Sequence, residues 1–91
     1  MDNKDFEKRA QELVAKYFNE KVKSTDKNGE ITIDDVFTVW LCKILQNNKA
    51  LISTTVSDGM YYEVTYNGDK DEFYLDAYMK WENKLYKNER R

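Results

Sequence analysis

The sequence has no histidine, no proline and a single cysteine, Cys42, and each absence removes a class of mechanism. Without histidine there is no Ser-His or Cys-His nucleophile pair and no imidazole-ligated zinc, and one thiol cannot close a disulfide within the chain. Glycine is also sparse: Gly29, Gly59 and Gly68 each lie in a polar cluster (Asp26 to Gly29, Ser57 to Gly59, Asn67 to Asp69) that marks a turn. No phosphate-binding glycine loop, Gly-x-Ser-x-Gly elbow or Cys-x-x-Cys pair is present. There is no apolar run near the ~20 residues of a membrane span, and the start, Met1 to Asp5, lacks the apolar core of a signal peptide. The expected location is therefore the cytosol, where Cys42 reads as a buried, inert thiol. Net charge is nearly absent as well, with 15 Lys and Arg against 17 Asp and Glu, so no global field draws the protein to phosphate or anionic lipid.

What remains is enough for one small α+β domain: 91 residues, 41% hydrophobic and 14% aromatic. From Asn3 to about Lys23, Phe6, Ala10, Leu13, Val14, Tyr17, Phe18 and Val22 recur at helical spacing, and Asp2 can cap them. The middle third carries five charges in residues 35–66 and is rich in β-branched and aromatic residues. It predicts strands at about 36–46, 49–56 and 60–66, with Asn47-Asn48 turning the first pair and Ser57-Asp58-Gly59 the second. The run Val36 to Leu45 also satisfies a helical period, so strand and helix both stay open there. After Asn67-Gly68, residues Phe73, Tyr74, Ala77, Tyr78, Trp81, Leu85 and Tyr86 fit a second helix over about 72–88, with Asp69 to Glu72 at its acidic start. The expectation is α-β-β-β-α over a single domain, 1–91: a three-stranded antiparallel meander with two helices packed on one face.

Four functional constellations follow. Residues 24–35 resemble an EF-hand calcium loop, with Asp26, Asn28, Thr32 and Asp35 as oxygen ligands around the turn at Gly29. Ser24 stands where the first Asp is needed and Asp35 where a bidentate Glu is needed, so the expectation is a polar connecting loop and no metal. The carboxylates Asp34/Asp35 and Asp69/Asp71/Glu72 have no cationic partner or pocket legible around them, so neither catalysis nor a cofactor is expected. The α-β-β-β-α order is that of the double-stranded-RNA-binding domain, and Lys80, Lys84, Lys87, Arg90 and Arg91 form a basic end to the last helix. Acidic Asp69 to Glu72 occupies the helix start where phosphate would dock, which argues against nucleic acid. The fourth is aromatic surplus. If Phe37, Val39, Leu41 and Leu45 face the helices, then Val36, Trp40, Cys42 and Ile44 face outward beside Leu51 and Tyr61. Val36, Trp40, Ile44, Leu51 and Tyr61 are thus the expected interaction patch, for a protein partner or a second copy as a homodimer.

Asp34-Asp35-Val36-Phe37-x-Val39-Trp40, Leu45-Gln46-Asn47-x-Lys49-Ala50-Leu51-x-Ser53-Thr54-Thr55, and Asp58 to Lys70 resemble a family of small proteins encoded by phages and prophages of Gram-positive bacteria. So does Tyr74-Leu75-Asp76-Ala77-Tyr78-x-Lys80-Trp81-Glu82-Asn83-Lys84. The family is a domain of unknown function and supplies no catalytic residues. The resemblance implies a bacterial cytosol and a phage or prophage accessory role by protein contact, with inhibition of a host nuclease or defence complex as the alternative.

Overall fold

The apolar stripe that begins at Phe6 is buried in the computed structural model, which describes residues 1–22 and 29–88. It forms one side of α1 (Asn3–Val22), where Phe6, Ala10, Val14, Ala15 and Phe18 are buried. Asp2 starts the helix by accepting the Asp5 amide on its carboxylate at 2.8 Å and the Phe6 amide on its carbonyl at 3.0 Å, which satisfies two otherwise unpaired N–H groups of the first turn.

After α1 the chain is clamped back onto it. The Asn19 side-chain amide donates to the Ile31 carbonyl at 2.8 Å and accepts the Ile31 amide at 2.8 Å. A single 3₁₀ turn, Ile33–Asp35, follows with Thr32 as its cap, and the Asp35 carboxylate accepts the Thr32 amide at 2.9 Å. This reciprocal capping box fixes where the first strand begins.

Four strands follow: β1 (Val36–Ile44), β2 (Asn47–Thr54), β3 (Met60–Asn67) and β4 (Glu72–Met79). They pair antiparallel in the order β1-β2-β3-β4, a simple meander. The fold is a small α+β domain with one helix and four strands, so the expected three strands and two helices are corrected. Residues 72–88 do not form a helix: Phe73 and Leu75 turn inward while Tyr74, Asp76 and Tyr78 turn outward, and residues 80–88 are neither helix nor strand. The chain closes this hairpin with Gly68 to Asp71, where Asn67 accepts the Asp69 amide at 3.0 Å and the Lys70 amide at 3.3 Å. The acidic run Asp69 to Glu72, expected at a helix start, therefore belongs to the hairpin, Asp69 to Asp71 in its loop and Glu72 at the start of β4. With the second helix gone, the topological likeness to the double-stranded-RNA-binding domain is gone too.

Strand boundaries move as well. Leu45-Gln46 forms the β1–β2 turn, with Leu45 at φ 56°, while Asn47 pairs with Ile44 and Asn48 with Lys43. Asn48 is buried beneath the start of α1 and donates to the Asn3 side chain at 3.1 Å. The core lies between α1 and the inward sheet face, where Val36, Ala50, Ile52, Tyr62, Val64 and Tyr66 meet the helix. Full burial of side chains such as Ile52 and Val64 stabilises by about 1.5–3 kcal/mol each. Phe73 extends this core onto β4, its ring 4.8 Å from that of Tyr66 and stacked at 6.3 Å on Phe6.

Candidate interaction surface

Register decides which residues the sheet turns away from α1. Phe37 pairs with Ser53 and Trp40 with Leu51, while Val36 pairs with Thr54, Thr38 with Ile52 and Leu41 with Ala50. Residues 53 and 51 share one face and 54, 52 and 50 the other, because side chains alternate along a strand. A β-bulge between Thr38 and Trp40 makes this register possible, placing one extra residue, Val39, on β1. Strict alternation puts Val36 and Trp40 on one face; the bulge separates them. Val36 is buried against the helix at 7% exposure and leaves the expected patch, whereas Phe37, expected inward, is exposed. Cys42, expected to be buried, is also exposed.

The outward face brings Trp40, Leu51 and Tyr61 together and adds Tyr78 from β4, which pairs with Tyr61. These four line an open groove of about 490 Å³ with Val39, Met79 and Lys80. Trp40, Tyr78 and Met79 are each more than two-fifths exposed. The Lys80 ammonium lies 5.7 Å from the Tyr61 ring centre, and the Lys80 amide donates to the Gly59 carbonyl at 2.7 Å, tying the end of β4 to the start of β3. Ile44 is highly exposed at the far end of β1, beside the turn rather than in the groove.

Charge on this face is mainly negative. Lys49 approaches Glu63 at 3.6 Å, but Glu63 also stands directly opposite Asp76, a like-charged cross-strand pair that opposes pairing. Asp76 makes no ion pair among the described residues. Tyr74 donates to the Glu72 carboxylate at 2.9 Å, and that bond raises the Tyr74 pKa. An apolar groove beside unneutralised carboxylates can hold a partner that presents apolar side chains and cations.

The other expected sites come out differently. Asp26 and Asn28 lie outside the described residues, and Thr32 and Asp35 are engaged with each other in the capping box. Among the described residues no group of three or more Cys, Asp or Glu is arranged to hold a metal ion. Arg90 and Arg91 lie outside the described residues, while Lys80 and Lys84 sit over Tyr61 and Tyr86 and, with Lys87, belong to no helix end. Tyr74 and Tyr78 were not expected at a surface site; the signal for them is the inward alternation of Phe73 and Leu75, masked by apolar residues on both faces.

No described helix is long and apolar enough to cross a membrane. No curated protein and no solved structure matches the chain significantly. A family model does match, over residues 7–88, which take in most of α1, all four strands and the groove on the outward face: the chain belongs to a family of unknown function, DUF6275.

Proposed function

We propose that this is a non-catalytic accessory protein, of a phage or prophage by its sequence resemblance, that works by binding protein through the open face of its sheet. The observation that carries the reading is the groove on that face. Trp40, Leu51, Tyr61 and Tyr78 converge there with no element among the described residues above them. Trp and Tyr are the residue types that anchor protein contacts, because each removes a large apolar area from water while its polar group keeps a partner. The acidic Glu63 and Asp76 beside the groove supply orientation.

The test is site-specific photocrosslinking in the cell that makes the protein. A crosslinking residue at Tyr78 is expected to give an adduct of defined mass with another polypeptide, identified by mass spectrometry. The same residue at Lys8, exposed on α1, should give none. Trp40→Ala should reduce the Tyr78 adduct at least tenfold while circular dichroism stays native, because truncating an anchor costs about 2 kcal/mol or more of binding. A folded protein whose Tyr78 position captures nothing beyond the Lys8 control overturns the reading.

A further inference from the structure

We infer that the groove receives a second copy of this chain by reciprocal exchange of the segment after β4: Trp81 and Leu85 of one copy fill the groove of the other. This rests on the reading of the open face as a protein-binding surface and goes further by naming the occupant.

Residues 80–88 form an arm with no regular structure whose apolar side chains touch almost nothing, with Trp81 97% exposed, Leu85 79% and Tyr86 78%. Single exposed apolar residues are ordinary, but three large ones within six positions of an arm are an adhesive strip. Helical spacing of Trp81 and Leu85 lets both enter one groove if the arm coils on docking.

The arm is poorly placed to fill its own groove. Its first residue is held by the bond from the Lys80 amide to the Gly59 carbonyl, at the edge of the sheet. To lie back over Leu51 it must reverse direction at once, yet no Gly, Pro, Asn or Asp occurs from Ala77 to Glu82. These are the residues that make tight reversals cheap.

Charge also matches. Beyond the rim the arm carries Lys84 and Lys87 against Glu82, while the outward face carries Glu63, Glu72 and Asp76 against Lys49 and Lys80. Docking brings cations toward Asp76, which has no ion pair among the described residues.

Because both copies give an arm and accept one, the exchange closes as a two-fold dimer rather than growing into a filament.

Sedimentation equilibrium of the full chain, from micromolar to millimolar concentration, tests this. The wild type is expected to reach twice the 10.9 kDa chain mass, with a blue shift of tryptophan emission over the same range. The arm variant Trp81→Ala/Leu85→Ala, which removes only exposed side chains, and the groove variant Tyr78→Lys should each weaken association by roughly thirtyfold or more. Mixed together, they should recover a heterodimer, because one intact arm still meets one intact groove. A monomeric wild type overturns the inference, whether or not Trp81 is shielded within its own chain, and so does a dimer that the arm variant leaves unchanged. If the Tyr78 crosslink then captures a different protein, the open face remains a binding surface and only the arm exchange falls; if it captures nothing, both fall.

Discussion

Leu45 sits at φ 56° in the β1–β2 turn, in a region that brings an L side chain close to its own carbonyl and costs about 1–2 kcal/mol. Its side chain is 84% exposed and recovers little of that by packing. Glycine at the first central position of a two-residue hairpin turn relieves the clash. Leu45→Gly is therefore expected to raise stability by about 1 kcal/mol, read as a higher urea midpoint at unchanged slope. A second residue effect concerns tyrosine. The hydrogen bond from Tyr66 to Asp71, 2.7 Å long, raises the Tyr66 pKa above the ordinary 10.0, with burial adding to it. Burial chiefly, with the nearby Asp58 charge, does the same for Tyr62, and the bond to Glu72 does so for Tyr74. A raised native pKa means that the folded protein holds these protons more tightly than the unfolded chain. The associated stability is complete below pH 10 and is lost as pH climbs through the native values. Thermal melting followed from pH 8 upward should show a midpoint that falls above about pH 10. Tyr66→Phe/Tyr74→Phe should flatten that fall.

Among the elements, β1 gains most from its irregularity. The bulge at Val39 keeps Phe37 and Trp40 on the outward face and Val36 and Leu41 in the core. Removing Val39 leaves Thr38 opposite Ile52 and Trp40 opposite Leu51 with ordinary alternation throughout. The deletion is expected to fold with stability within about 1 kcal/mol of wild type, because no inward residue changes side. Amide exchange should show the same protected pairs on both sides of the deletion; a flipped strand, with Val36 or Leu41 exposed, would contradict this. The same bulge explains a limit of sequence reading. Nothing in Thr38-Val39-Trp40 announces an extra residue, so strict alternation puts Val36 outside. By contrast, α1 was legible nearly to the residue, because its apolar positions line one side and polar ones the other. β2 and β3 were legible from β-branched content and the Ser57-Asp58-Gly59 connection. β4 was misread because Phe73, Tyr74, Leu75, Ala77 and Tyr78 place apolar side chains on both faces, and a strand without alternation satisfies a helical period equally well. Its outward Tyr78, one of the three aromatic side chains that line the groove, was lost with it.

The whole molecule is a plate of two layers, 49 × 37 × 19 Å, with α1 above β1, β2 and β3 and no described element covering the opposite side of the sheet. A radius of gyration of 15.3 Å exceeds the roughly 12 Å of a compact chain this long, the consequence of thinness and of the arm beyond β4. At one edge of the plate the two hairpin tips meet. The Gly68 amide donates to the Asn47 side chain at 3.2 Å, and a Cβ at Gly68 would collide with the Gln46 carbonyl. Gly68→Ala is therefore expected to cost about 1–3 kcal/mol. The timing of that loss follows from the meander. Every strand pairs with its neighbour in sequence, so β1–β2 and β3–β4 can each zip locally, before either tip has anything to touch. The tips meet last, and only if neither hairpin has slipped, which makes Gly68 a proofreading contact for assembly. In stopped-flow measurements the alanine variant should fold at nearly the wild-type rate and unfold faster, the mark of a contact made after the rate-limiting step.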